Sequence, residues 1–292
     1  MKLYLFIMAL MATVSCTSLA QQYKHTSSSG SGKLTHIKAS RNLVNKEIRT
    51  ADFSQIQLIG SADVVYEQKP GKSHVEIYTS DNIFEALDIK VEGGVLKVGL
   101  KKGYKISYNT LRISAQSPKI NNVSVSGSGD ITLKSGIQTG DMKLSIAGSG
   151  DVDFTNLTCS AFRVSIAGSG DVSGKGLACT TLDAKIAGSG DVDLENVAAT
   201  AKTECTISGS GEMELKGQGT DALYRISGSG SIDACGFKTN RVEVTVAGSG
   251  DLKCYAKDYL KASVAGSGSV RYLGNPEVDA HPKADVKKMI NR

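Results

Sequence analysis

The 292-residue chain contains no tryptophan, and aromatic residues make up only 5% of it. With 32 glycines, that composition fits an all-β fold of tight turns and thin cores better than a helical one. An excess of one charge is also missing. The 34 basic and 29 acidic residues give a formal net charge of +5 without a clustered basic face, which argues against a nucleic-acid footprint. Only four histidines occur, His25, His36, His74 and His281, and none stands at ligand spacing from another. Neither a histidine-held metal nor a histidine base is therefore expected. There is no GxGxxG, because Gly127-Ser128-Gly129 runs on into Asp130-Ile131-Thr132, and no glycine-lysine-serine/threonine phosphate loop. Beyond the first twenty residues no apolar run approaches the length of a membrane span. No catalytic residue and no cofactor is predicted.

Residues 1–20 read as an export signal, with Lys2 as the positive start, Leu3 to Val14 as the apolar stretch, and Ser18-Leu19-Ala20 as the cleavage site. A rival site precedes Cys16, which would then carry a lipid anchor, although Thr13 stands where a lipoprotein signal usually has leucine. Both readings take the protein out of the cytoplasm, to the cell surface, the extracellular space or the periplasm. Cleavage after Ala20 leaves Cys159, Cys179, Cys205, Cys235 and Cys254. Their odd number and the lack of any CxxC spacing fit small buried hydrophobes better than a disulfide framework.

What the chain does have is a repeat. Gly-Ser-Gly occurs eight times, with first glycines at Gly127, Gly148, Gly168, Gly188, Gly209, Gly228, Gly248 and Gly266. The second glycines are Gly129, Gly150, Gly170, Gly190, Gly211, Gly230, Gly250 and Gly268. A period near twenty is the mark of a solenoid. Around each triplet apolar residues alternate, as in Leu144 and Ile146 before it and Val152 and Phe154 after it, so two strands meet at a glycine corner. A looser return through residues such as Leu157, Leu177 and Val197 completes the coil. Eight coils stacked at about 4.8 Å make a rod roughly 38 Å long.

The predicted organisation is a signal at 1–20, a flexible leader at 21–46 and one β-solenoid domain at 47–292. Within that domain 47–120 is an irregular capping half, 121–275 the regular repeats and 276–292 a C-terminal cap. Ser29-Gly30-Ser31-Gly32 has no strand before it and belongs to the leader. In the irregular half, Gly60-Ser61-Ala62-Asp63 is a degenerate copy of the corner. Asn82 to Leu87 is expected to make a helical turn capped by Asp81, and Gly93-Gly94 to turn a hairpin. The basic cluster Lys101-Lys102-Gly103-Tyr104-Lys105 reads as a solvated hairpin or edge strand.

Glycine adopts the positive φ of a sharp corner without a Cβ clash. The small residue before each triplet suits a close approach of stacked backbones, and the serine hydroxyl can bond the corner or the next rung. After the triplet come Asp130, Asp151, Asp171, Asp191, Glu212, Ser231, Asp251 and Ser269. Stacked carboxylates repel unless compensated. Two compensations are open: backbone N–H groups of the same turn, or a calcium ladder along Asp130, Asp151, Asp171, Asp191 and Asp251. Calcium is the weaker, because it takes six to eight clustered oxygens.

The tandem GSGD units, with Ile59-Gly60-Ser61-Ala62-Asp63-Val64 and Gly93-Gly94-Val95-Leu96-Lys97-Val98 ahead of them, resemble the family called "putative auto-transporter adhesin, head GIN domain". The resemblance spans Arg49 to about Met289. It implies export and a right-handed parallel β-helix, and it carries no catalytic residues. The expected function is a non-enzymatic adhesin that binds a host surface or a glycan. The alternatives are a carbohydrate-active or glycan-binding β-helix protein and a structural envelope protein. Exposed solenoid edges leave self-association into a homo-oligomer open.

Overall fold

The structure is a computed structural model that describes residues 34–134 and 136–290. The signal, the lipid-anchor alternative at Cys16 and the Ser29–Gly32 linker lie outside the described residues. Thr35 onward forms one compact unit. Its N-terminal part comprises β1 (Thr35–Lys38), β2 (Leu43–Arg49), β3 (Gln55–Gly60), β4 (Asp63–Gln68), β5 (His74–Ser80), a 3-10 turn (Asp81–Ala86), β6 (Leu87–Glu92), β7 (Val95–Leu100), β8 (Tyr104–Ser107) and β9 (Leu111–Ser117). The remainder comprises β10 (Asn122–Gly127), β11 (Ile131–Leu133), β12 (Ile137–Gln138), β13 (Asp141–Gly148), β14 (Val152–Thr158), β15 (Ala161–Gly168), β16 (Val172–Gly188), β17 (Asp191–Gly209), β18 (Glu212–Gly228), β19 (Ser231–Gly248), β20 (Asp251–Gly266), β21 (Ser269–Leu273), β22 (Glu277–Ala280) and β23 (Val286–Lys288).

The regular half is the parallel β-solenoid that the repeat predicts. Each coil pairs with the next so that glycine falls on glycine: Gly60, Gly127, Gly148, Gly168, Gly188, Gly209, Gly228, Gly248 and Gly266 form one column. The core is a stack of inward columns such as Leu58, Val125, Ile146, Ile166, Ile186, Ile207, Ile226 and Val246, all buried. Each such aliphatic side chain contributes about 1.5–3 kcal/mol.

The return is not loose. In the Val172–Gly188 strand Val172 and Gly174 point inward, then Leu177 and Cys179, then Leu182, Ala184 and Ile186. A positive-φ residue separates the first two pairs, and a register break between Cys179 and Thr181 separates the second pair from the last group. Each coil thus has three inward-facing segments. The residues at the added bend are Gly136, Asn156, Gly176 and Asn196, with φ between +52° and +93°. Only glycine and asparagine enter that region readily. Their twenty-residue spacing was a signal available in the sequence.

The domain begins earlier than Glu47. The segment expected to be flexible contains β1, which pairs with β8, and β2, which lies antiparallel on β5. β2 carries Asn45, Lys46 and Glu47 and is largely exposed, so it has no apolar period to betray it. The basic cluster runs into β8, as an edge strand. Gly93 and Gly94 turn the β6–β7 hairpin as expected. Asp81 is inside the 3-10 turn rather than capping it. Its carboxylate accepts from Ser40 Oγ at 2.5 Å, Asn42 Nδ2 at 2.9 Å and its neighbour's N–H at 2.8 Å, which pins the β1–β2 connection.

The irregular half closes one end. β3 and β4 form a full rung beneath the first regular coil, and β7 and β9 form another beneath that. Antiparallel β6, β5 and β2 then finish the edges. At the other end β22 pairs with β20, and β23 pairs with β21.

Candidate functional site

The glycine corner is built by backbone contact between rungs. Gly148 has φ +139°, and a Cβ on it would overlap the Gly127 carbonyl. Gly150 has an ordinary φ, yet a Cβ there would overlap the Gly129 carbonyl and meet Val125 Cγ1 at 3.0 Å. The first glycine of the triplet is required by both conformation and space, the second by space alone. Ser149 and Gly150 both donate their N–H to the Gly127 oxygen, at 2.8 and 3.1 Å. The serines are exposed, and it is their backbone N–H that bridges the rungs. The small residues before the triplet do not serve close stacking. Ala147, Ala167, Ala187 and Ala247 face solvent, and Ile59 fills the same position in the degenerate rung at 39% exposure.

The acidic row is compensated between rungs rather than within each turn. Asp130 Oδ1 accepts the N–H of Asp151 at 2.9 Å, Asp151 that of Asp171 at 2.8 Å, Asp171 that of Asp191 at 2.8 Å, and Asp191 that of Glu212 at 2.9 Å. Where glutamate or serine breaks the row, the next N–H turns to a corner glycine: Ser231 donates to Gly211 and Asp251 to Gly230. Asp251 Oδ1 accepts the Ser269 hydroxyl at 2.6 Å. One oxygen of each carboxylate in the proposed calcium ladder is thereby committed. Among the described residues no three or more His, Cys, Asp or Glu side chains group to hold one ion. The donor set therefore does not fit calcium.

Two residues beyond Asp151 and Asp191, on the outward face of the strands, stand Asp153 and Asp193. Both residues are exposed, but partial desolvation against the sheet raises their carboxyls above the ordinary range, and the neighbouring Asp151 and Asp130 charges add to the rise at Asp153. They line a shallow depression of about 460 Å³ with Lys134, Lys175 and Glu195. None of the described histidines borders it.

A further irregularity of the coils lies at the bend between their second and third segments. Two depressions of about 410 and 510 Å³ share Thr220. The first is lined by Ala198, Ala199, Gly219, Gln218, Lys238, Asn240, Tyr255 and Lys257, among others. The second includes Lys202, Asp221, Arg241, Glu243 and Tyr259, with the Arg241 guanidinium 5.2 Å from the Tyr259 ring centre. Register breaks at Ala199/Lys202 and Thr239/Arg241 produce this irregularity. The amino-acid pattern alone does not reveal this cluster, because coils of unequal length disguise which residues align.

The family described as "Putative auto-transporter adhesin, head GIN domain" matches residues 52–211 and again 177–276. The chain belongs to this family. Among solved structures, the head GIN chain is similar to a putative lipid binding protein from Parabacteroides distasonis, at 27% identity and TM-score 0.65, over 88% of this chain and 100% of that one. It is also similar to a putative adhesin from the same species, at 27% identity and TM-score 0.65, over 87% and 100%. A putative adhesin from Parabacteroides merdae shares the fold, at 24% identity and TM-score 0.66, over 87% and 98%. No curated protein matches the chain significantly.

A small apolar cleft of about 70 Å³ lies among Ile59, Val98, Leu100, Ile106 and Tyr108 of the head GIN chain. That volume is far below the roughly 300 Å³ at which ligand pockets begin. The chain's five described cysteines are unpaired thiols. Cys159, Cys179, Cys205 and Cys254 are buried and Cys235 half-buried. Burial pushes Cys159 and Cys254 up to about 12 and Cys179 up to about 11, which leaves them inert as nucleophiles.

Proposed function

We propose that this protein is an exported, non-enzymatic contact module that holds a host surface or a glycan against its rungs. The observation that carries the reading is the unbroken register of the strands through the glycine corner, which turns single outward side chains there into columns repeated about every 4.8 Å. A rigid, periodic surface of that kind complements an extended, repetitive ligand and loses little conformational entropy on binding. Membership of an adhesin-named family supports the same reading. The alternating buried core leaves the chemistry to the outer faces, where amides, hydroxyls and charges dominate.

The test is binding of the purified chain to host epithelial cells and to a glycan array, together with adhesion of cells from which the gene has been deleted. Saturable binding and reduced adhesion are expected. Adhesion unchanged by deletion, with no glycan bound, would leave a structural role in the envelope instead. Fractionation of the producing cells tests export. The mass of the mature N-terminus separates cleavage after Ala20 from lipidation at Cys16.

A further inference from the structure

We infer that the depression at the second bend is a binding site for an acidic glycan, an extended oligosaccharide bearing carboxylate or sulfate groups. The inference rests on the contact-module reading and narrows its ligand. The floor is made of Ala198, Ala199 and Gly219, residues with almost no side chain, which leaves the space between the walls open. It is also rigid. A Cβ on Gly219 would stand 2.7 Å from Phe237 Cζ, because that buried ring packs directly beneath.

Along one wall Gln218, Lys238 and Tyr255 are register partners on successive coils. An amide, an ammonium and an aromatic ring therefore follow one another at about 4.8 Å, close to the advance of one sugar along an extended chain. The partly exposed ring offers an apolar surface to sugar C–H groups, and the amide offers both donor and acceptor to hydroxyls.

Charge decides which glycan. Lys134, Lys175, Lys185, Lys202, Lys216 and Lys253 each lie within 4 Å of a carboxylate. Lys238 and Lys257 make no ion pair among the described residues, and no acid lines their depression. Two uncompensated ammonium groups flanking a hydroxyl- and amide-lined floor suit an anionic sugar, through charge-assisted hydrogen bonds. A neutral sugar would leave both unanswered.

The experiment is calorimetric titration of the full exported chain with three probes: a polyuronate oligosaccharide, a heparin fragment and a neutral cello-oligosaccharide. The acidic probes are expected to bind, more weakly as salt rises, and the neutral one to be silent. Binding of the polyuronate shows that carboxylates suffice, whereas binding of heparin alone assigns the requirement to sulfate. Lys238→Gln and Lys257→Gln should each weaken binding about tenfold. Ala198→Trp, which fills the depression from its floor, should abolish it. Lys185→Gln, on another segment of the coil, should change nothing. Circular dichroism of each variant confirms the fold. Equal loss in Lys185→Gln would overturn the site as mere attraction to a basic protein. Binding of the neutral probe, unaffected by the lysine variants, would overturn it while the contact-module reading stands. Cell binding without any glycan binding would do the same, and absence of both would remove the two readings together.

Discussion

Asp151 donates its backbone N–H to the Oδ1 of Asp130, one coil below, and its own Oδ1 receives the N–H of Asp171 one coil above. A row of like charges that ought to repel thus serves as the hydrogen-bonding rail along one edge of the rod. Asp151→Ala should remove the partner of the Asp171 N–H and cost about 1–2 kcal/mol in urea unfolding. Asp151→Asn keeps an acceptor oxygen and removes a charge, and should be near neutral. Equal losses from both substitutions would argue that charge, not hydrogen bonding, matters at this position.

The two glycines of a corner make different demands. Gly150→Ala forces a Cβ into the Gly129 carbonyl at a backbone conformation alanine otherwise accepts. It should cost about 3 kcal/mol or more through displacement of the stacked corner. Ser149→Ala, on an exposed side chain between them, should fall within about 0.5 kcal/mol of the parent. Thermal melts of the two variants check this, and a tolerated Gly150→Ala would mean that the rungs can separate locally.

Two buried tyrosines should respond to phenylalanine with opposite signs. Tyr66 Oη lies 2.9 Å from Ser117 Oγ and 3.1 Å from the Ser117 carbonyl, and its removal should cost about 1 kcal/mol. Tyr224 is fully buried with its hydroxyl unpartnered, and Tyr224→Phe should stabilise the protein by about 1 kcal/mol. Denaturant midpoints of the pair decide it.

Asp153 gives a pH signature. Its carboxyl is raised by partial desolvation and by Asp151 and Asp130, so the folded state holds the proton more tightly than the unfolded chain does. The penalty is full at neutral pH, falls as pH drops through the raised value, and is gone below the unfolded value of 3.8. Asp153→Asn should therefore raise Tm at pH 7, and the gain should shrink as the pH approaches 4. A gain independent of pH would assign the effect to packing.

Much of the architecture was legible because a twenty-residue period admits few folds. The corner glycines, the alternation around them and the Gly60 copy all reappear as one aligned column. What escaped notice depended on pairing that local sequence does not encode. β2 is polar because only one face of it meets the sheet. The bend at Asn156 and Asn196 was written in residue types that tolerate positive φ, but the mixture of asparagine and glycine hid the column. The groove at Tyr255 needed coil-by-coil register, which bulges shift by one to three residues.

The β3–β4 rung is made early in the chain yet lies in the interior of the stack, with β7 and β9 on one side and β10 and β11 on the other. The N-terminal end is consequently sealed by strands that cannot be moved without dismantling their neighbour. Length is adjustable only toward the C-terminus, where each added or deleted twenty-residue unit changes reach by about 4.8 Å and leaves the sealed end as it was. The molecule is in that sense a ruler with a fixed zero.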